Sequence, residues 1–472
     1  MDVQGRTAEL LKQRAAIEGA PDKMSAARKR MQLLFDEGTF VETGAFVKQR
    51  PTELNGVDAE AEGVVTGYGA VNGMLVFAFS QDVSVLKGSI SEMNSKKICD
   101  IAAMALKAKA PIVSMLDSCG IRLHEGVDAL SGYGRILSAF NAVSGECAHA
   151  SIVFGTASGP LSFLSGMADY SVIVNGAELF MSSPDVVKAR FNDKEAGTAE
   201  KAFANGTVSE ICENDEAAVA AVKVFLATMC DVPVTADDAN RLVPEIETIL
   251  SADTYDVKSV IAAIADDGRM LEFYKGFAKN IVTGVINLDC MTVGVVANQN
   301  CENGGALTSD AAKKAAKFIS LCEDFGLPVL TLVDTDGFVP DANENIEDAS
   351  ALSLTYINAS IPKITLIMGK AYGSGYISMC SKETGADLVY AYPTAEVAAL
   401  PAETGAVFMC AQELVQTSGD PITEREALIE KYRTTIASVY EAAKRGYVDD
   451  IIEICTTRQL LISGFDMLAD KE

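Results

Sequence analysis

The chain has 472 residues, 49% of them hydrophobic and 22% charged, with a formal net charge of −26. That apolar content excludes a disordered chain, and the length exceeds one ordinary core, so two or three domains are expected. The acidic balance argues against nucleic acid, which would need a basic face to follow phosphates; it reads as solubility, with a basic partner as the alternative.

The N-terminal stretch MDVQGRTAELLKQRAAIEGA has a polar helical pattern without an apolar signal core. No apolar run approaches the ~20 residues a membrane helix needs, so a soluble, cytoplasmic chain is expected. Eleven cysteines are scattered from Cys99 to Cys455 with no C-x-x-C pair. Zinc-ribbon and thioredoxin-like readings lose their main support, and the pattern suits reduced thiols in a cytosolic protein.

From Val64 the chain reads VVTGYGAVNGMLVFAFSQD, and from Asn280 it reads NIVTGVINLDCMTVGVVANQN. Each passage leads into a helical stretch, SEMNSKKICDIAAMALKAKAP or DAAKKAAKFISLCEDFGLP, and then an apolar strand ending in aspartate, IVSMLD or VLTLVD. Gly67 and Asp117 are fifty positions apart, as are Gly284 and Asp334 (117 − 67 and 334 − 284). A second helical stretch follows in each half. Next come a strand and a small-residue turn, ASIVFGTASGPLSF or KITLIMGKAYGSGY, and a further strand-like stretch. Order and spacing together indicate a duplication. The boundary is expected in the polar, helix-poor stretch Asp231 to Asp256, broken by prolines at 233 and 244. The runs VSMLD and TLVD do not alternate, as suits strands buried on both faces, and the long connections favour β-β-α units over a sandwich. Lys444 to Ile452 and Gln459 to Asp470 read as closing helices.

Two histidines leave few candidates for a Ser-His-Asp triad or a histidine metal site. His149 precedes a strand and reads as packing or surface; His124 lies in the loop CGIRLHEGVDAL. Asp117, Arg122 and Glu125 could present a pair of carboxylates or form a salt-bridged loop. The turns GTASG at Gly155–Gly159 and GKAYGSGY at Gly369–Tyr376 carry more. A small-residue turn at a helix start presents backbone N–H groups that can hold an oxyanion, or it merely permits tight packing. Two of them at matching places favour the functional reading.

Further stretches extend the pattern: ARKRMQLLFDEGTFVE from Ala27, EGVVTGYG at Glu62, FSQDVSV at Phe79, LDSCGIRLHEGV at Leu116 and SPDVVK at Ser183. In the second half they are YDVKSVI at Tyr255, AKNIVTG at Ala278, DTDGFVP at Asp334, YPTAEVAAL at Tyr392, AAKRGYVDDII at Ala442 and Thr457-Arg458. Together they resemble, nearly end to end, the carboxyltransferase subunits of propionyl-CoA carboxylase, methylmalonyl-CoA decarboxylase and transcarboxylase.

The resemblance implies an α/β chain of two tandem crotonase-like β-β-α spiral domains, residues 1–235 on the acyl-CoA side and 236–472 on the biotin side. It implies active sites shared between the first half of one subunit and the second half of another, in a homo-oligomer such as a ring-shaped hexamer. Biotin would arrive on a separate biotin carboxyl carrier protein, with a biotin carboxylase or membrane decarboxylase subunits as further partners. CO2 released from carboxybiotin would be attacked by the acyl-CoA enolate, with no metal required. Carried over residue by residue, the biotin hole falls on Ser374 and Gly375, preceded by Gly373. The acyl-CoA hole falls on Gly159 and Pro160, beside Ser158 and Gly120. Tyr376 and Ile377 follow as substrate-side positions, Ile377 standing where members tune acyl-chain choice.

The chain departs from the family in places. Pro160 has no N–H, so one donor is absent. GTAEKAF near Gly197 and NGTVSE near Asn205 lack the usual histidines, and the loop after DTDGFVP lacks the usual Arg-His-Gly. Asp336 stands in the usual DTPGF turn and Asn300 in the usual NQP. These departures raise two alternatives: a non-catalytic scaffold paralogue, or a biotin-independent crotonase-type enzyme with Glu125 as its carboxylate.

Overall fold

The computed structural model describes residues 2–19, 23–50, 59–230, 237–340, 346–416, 421–469 and 471. The chain divides into two compact units, Met1–Val232 and Pro233–Glu472.

In the first unit, β1 (Val41–Thr43), β2 (Val64–Val71), β3 (Met74–Gln81), β4 (Ile112–Ser118), β5 (His149–Ser158), β6 (Tyr170–Val174), β7 (Glu178–Phe180) and β8 (Glu210–Cys212) form one sheet. Its order is β1-β2-β3-β4-β5-β6-β8, with β7 added to β5. In the second unit, β9 (Met270–Phe273), β10 (Ile281–Leu288), β11 (Met291–Asn298), β12 (Val329–Thr335), β13 (Lys363–Tyr372), β14 (Leu388–Ala391), β15 (Glu396–Ala398) and β16 (Asp450–Ile451) repeat the order as β9-β10-β11-β12-β13-β14-β16, with β15 on β13. In both, the leading three strands pair antiparallel and the rest parallel. All seven residues of β4 and of β12 are buried, as their unbroken apolar runs require.

Local chemistry is repeated too. The β2–β3 hairpin turns through Asn72 and Gly73 at φ 50° and 79°, and β10–β11 through Asp289 and Cys290 at φ 52° and 67°. Left-handed residues give a two-residue turn the twist its strands need. Asp36 accepts both turn amides of the first hairpin (3.1 and 2.9 Å), and Asp266 accepts both of the second (3.1 and 3.0 Å).

The helices Glu92–Ala108 and Ser309–Asp324 are N-capped by Ser91 and Thr308. Each buries one lysine at the same step. Lys97 Nζ donates to the Ala61 carbonyl (2.7 Å) and to that of Val64; Lys314 Nζ donates to Phe277 (2.9 Å) and Ile281 (2.8 Å). These ammonium groups close the loops that enter β2 and β10. Burial lowers each lysine from the ordinary 10.5 to about 8. Between those values the unfolded chain holds more protons than the folded one, so these groups make stability rise with pH through the window. Lys97→Met is expected to cost about 1–3 kcal/mol at pH 7 by orphaning two carbonyls. It should also flatten the rise between pH 8 and 9.5, both read by urea denaturation.

Two sequence expectations change. The helix expected over Lys444–Ile452 ends at Lys444; Gly446 turns at φ 80° and Asp450–Ile451 becomes β16, paired with Tyr390 and Ala391. The closing helix runs Thr457–Leu468, and Asp470 lies outside the described residues. The expected helix-poor stretch carries one short helix, Glu245–Leu250, with Pro244 at its N-cap, where a missing N–H costs nothing; 231–236 lie outside the described residues. Among the described residues no helix is long and apolar enough to cross a membrane.

Candidate functional site

Each unit builds the same turn. β4 and β12 shift register beside their aspartates, between Leu116 and Ser118 and between Val333 and Thr335. The neighbouring strand meets each carboxylate with a glycine. A Cβ on Gly155 would lie 2.3 Å from Asp117 Oδ1, and one on Gly369 2.5 Å from Asp334 Oδ1. Both carboxylates are committed. Asp117 pairs with Arg30 at 2.8 Å, and Arg30 continues to Asp215 at 2.9 Å. Asp334 accepts from Tyr255 Oη (2.7 Å), Asn300 Nδ2 (2.9 Å) and the Lys370 amide (2.9 Å). Burial, then the Asp334 charge, push the Tyr255 phenol up, so it stays a donor. The two departures from the family in this region therefore have partners: Asn300 holds Asp334, and Asp336 pairs with Lys370 at 3.0 Å.

Ten residues after entering its strand, each chain segment reaches a left-handed glycine, Gly159 (φ 62°) after Ser158 and Gly373 (φ 53°) after Tyr372. A helical turn starts at once, Gly159–Ser162 leading into Phe163–Met167 in one unit and Gly373–Ser378 in the other. First-turn N–H groups have no intrahelical acceptor and point off the helix end. The strand ends fix the correspondence as Gly159 with Gly373, Pro160 with Ser374 and Leu161 with Gly375. The sequence places the acyl-CoA hole on Gly159 and Pro160 and the biotin hole on Ser374 and Gly375; by their distance from the strand starts, Leu161, not singled out there, stands where Gly375 does. Counting ten residues from His149 and from Lys363 would have found it. Pro160 thus removes one amide of the first turn while Leu161 keeps the other; Ser374 and Gly375 keep both.

Glycines hold the surroundings close. A Cβ on Gly120 (φ 104°) would lie 2.6 Å from Ser158 Oγ, so these two substrate-side candidates do meet. A Cβ on Gly375 would lie 2.6 Å from Gly337 Cα, so this position excludes any side chain. Nothing lies within 4 Å of a Cβ on Gly159, which borders open space. Ser374 and Ile377 line a cavity of about 430 Å³ together with Phe338, Val339, Ile346 and Ser353. Ile377 is 51% exposed. The Tyr376 hydroxyl is buried without a partner among the described residues, and burial raises its pKa.

The remaining candidates resolve as structural. Arg122 pairs with Glu62 and, at 3.3 Å, with Glu125, not with Asp117. Glu125 also accepts the Glu92 amide at 2.8 Å, and its side chain is 6% exposed. The salt-bridged loop is the arrangement found, and Glu125 is not a free base. His149 is buried, bonded to Ser114 Oγ at 2.8 Å, set against Phe140 and lowered to about 3 by burial. His124 is exposed. The loop after DTDGFVP falls on residues 341–345, outside those described. Among the described residues no group of three or more His, Cys, Asp or Glu could hold a metal ion.

Residues 22–472 match the carboxyl transferase domain family. The methylmalonyl-CoA decarboxylase subunit alpha of Propionigenium modestum is 36% identical over 479 residues, 96% of this chain and 91% of the relative. The propionyl-CoA carboxylase beta chain of Roseobacter denitrificans is 38% identical over 469 residues, 94% and 91% of the two chains. The crystal structure of transcarboxylase 12S, described as a hexamer with methylmalonyl-coenzyme A and methylmalonic acid bound, superposes with a TM-score of 0.93. It is 34% identical, over 100% of this chain and 96% of that one.

Proposed function

Because the chain belongs to the carboxyl transferase domain family, we propose that it moves a carboxyl group between biotin on a separate carrier protein and the α-carbon of a short-chain acyl-CoA. The observation that carries this reading is the pair of glycine turns at Gly159 and Gly373, set at one register in a duplicated fold. The first unit takes the acyl-CoA and the second takes biotin.

When bound, carboxybiotin would supply CO2, and the biotin left behind would take up the α-proton. This chain's contribution is charge stabilisation. The amides of Ser374 and Gly375 hold the oxygen of the biotin ring, and the turn at Gly159 holds the thioester oxygen as the α-proton leaves. The Phe338, Ile346 and Ile377 side chains of the cavity exclude water. No side-chain base is needed, and the commitment of Asp117, Asp334 and Glu125 to internal partners supports that. The methylmalonyl-coenzyme A in transcarboxylase 12S supports a short acyl chain, and its hexamer supports a homo-oligomer here. A biotin carboxylase or membrane decarboxylase subunits would complete the complex and set its direction. The scattered cysteines, with no C-x-x-C pair among them, support a reducing, cytoplasmic setting.

The test charges a biotin carrier with labelled bicarbonate through a biotin carboxylase and ATP, then adds this protein with acetyl-, propionyl- or butyryl-CoA. Label should appear in the acyl-CoA product. No transfer to any of the three, and no reverse decarboxylation of methylmalonyl-CoA, would sink the reading. Pro160 favours one rival, a non-catalytic paralogue that assembles with an active subunit. That rival expects no transfer before or after Pro160→Gly, whereas a catalyst should change rate.

A further inference from the structure

Tyr133 sits on the helix Val127–Val143 with only 3% of its surface exposed, yet its hydroxyl has no hydrogen-bond partner among the described residues. A buried hydroxyl without a partner is a cost that phenylalanine would avoid. Its placement suggests what it faces. Tyr133 Oη lies 3.8 Å from the point a Cβ on Gly120 would occupy, and Ser158 Oγ lies 2.6 Å from the same point. The phenol therefore stands beside the end of β5, next to the turn that begins at Gly159. Among the described residues, Ser158 Oγ makes a long 3.5 Å contact to the Ser118 carbonyl.

The second unit differs in its packing helix, although Tyr376, on the turn itself, also has a buried hydroxyl without a partner among the described residues. That unit's turn keeps the amide at Ser374, and the hydroxyls of the packing helix Ile346–Asn358 are satisfied within the protein. Ser353 bonds Ser378 at 3.0 Å, and Tyr356 bonds Thr331 at 2.9 Å. An unpartnered helix hydroxyl thus stands beside the turn whose amide is missing at Pro160.

We propose that the Tyr133 hydroxyl donates a hydrogen bond to the thioester oxygen of the acyl-CoA, supplying the donor that Pro160 removes. This rests on the carboxyl-transfer reading. As the α-proton leaves, negative charge collects on that oxygen, and the phenol strengthens its bond to it without giving up its proton. Burial raises the phenol pKa, which keeps the proton in place.

The test is Tyr133→Phe. The ring is kept and no internal bond is lost, so the melting temperature should hold or rise; a clear fall would reveal a structural bond and overturn the proposal. Turnover with propionyl-CoA should drop at least tenfold with KM within threefold, and Pro160→Gly added to Tyr133→Phe should recover most of it. Binding supplies a readout independent of turnover. Carboxymethyl-coenzyme A, whose carboxylate puts negative charge near the enolate oxygen, should bind Tyr133→Phe at least tenfold more weakly than the unaltered protein. Propyl-coenzyme A, which lacks that oxygen, should bind both equally. If the unaltered protein transfers no carboxyl group, the carboxyl-transfer reading falls while the binding comparison still decides the role of the hydroxyl. Equal carboxymethyl-coenzyme A binding by both proteins, or turnover of Tyr133→Phe within twofold, overturns it.

Discussion

Ser374→Pro is expected to lower kcat about 10²–10³-fold, which is roughly the effect of losing one oxyanion donor, while leaving the protein folded. The chain supplies its own control for folding. Pro160 occupies the corresponding place in the first unit, after a glycine at φ 62°, and Gly373 precedes Ser374 at φ 53°. The backbone there already suits proline, and the first turn of a helix tolerates its missing N–H. Only the amide aimed out of the turn is lost. Ser374→Gly keeps that amide and should stay within about threefold of the unaltered rate, a ratio worth under about 1 kcal/mol. The loss should fall on carboxyl release from the biotin carrier, read in single turnover, with propyl-coenzyme A binding unchanged. Unchanged release by Ser374→Pro would remove the second turn from the chemistry.

Much of the fold was legible because duplication converts weak signals into strong ones. A single Gly-to-Asp spacing of fifty says little. The same spacing twice fixed β2 to β4 and β10 to β12 at once, and the non-alternating VSMLD and TLVD runs announced buried parallel strands. What was lost depended on contacts distant in sequence. Asp450 and Ile451 follow a helix and look helical, yet pairing with Tyr390 and Ala391 makes them a strand. Asp117 was grouped with Arg122 because they are close in the chain, but its cation, Arg30, comes from eighty-seven residues away.

The site was legible as glycine turns and less so as geometry. Gly120 and Ser158 were both singled out, and the structure joins them. Leu161 carries no sequence signal of its own, because an amide donor needs no particular side chain. Tyr133 gave no sequence signal, since a tyrosine on an apolar helix face reads as core. What distinguishes it is a hydroxyl without a partner among the described residues, placed beside Gly120 and Ser158.

Arg458→Met should destabilise the second unit by about 3–5 kcal/mol, the usual cost of breaking a buried ion pair from one side. Arg458 is 0% exposed, at the start of the helix Thr457–Leu468. Its Nη2 meets Asp266 at 2.6 Å, Nη1 donates to the Ile264 carbonyl at 2.6 Å, and Nε reaches the Asp238 carbonyl at 3.3 Å. Asp266 in turn holds the hairpin amides of Asp289 and Cys290. One guanidinium therefore ties the closing helix to the end of the helix Val257–Ile264 and to the β10–β11 turn. Methionine fills much of the volume but leaves the Asp266 carboxylate buried with its two backbone amides and no cation. Lysine keeps the charge without the fork and should recover only part of the loss. Asp266→Asn added to Arg458→Met should cost less than the sum of the two single changes, because the orphaned charge is gone. Urea denaturation of the four proteins checks this, and strict additivity would mean that the two side chains do not act as a pair.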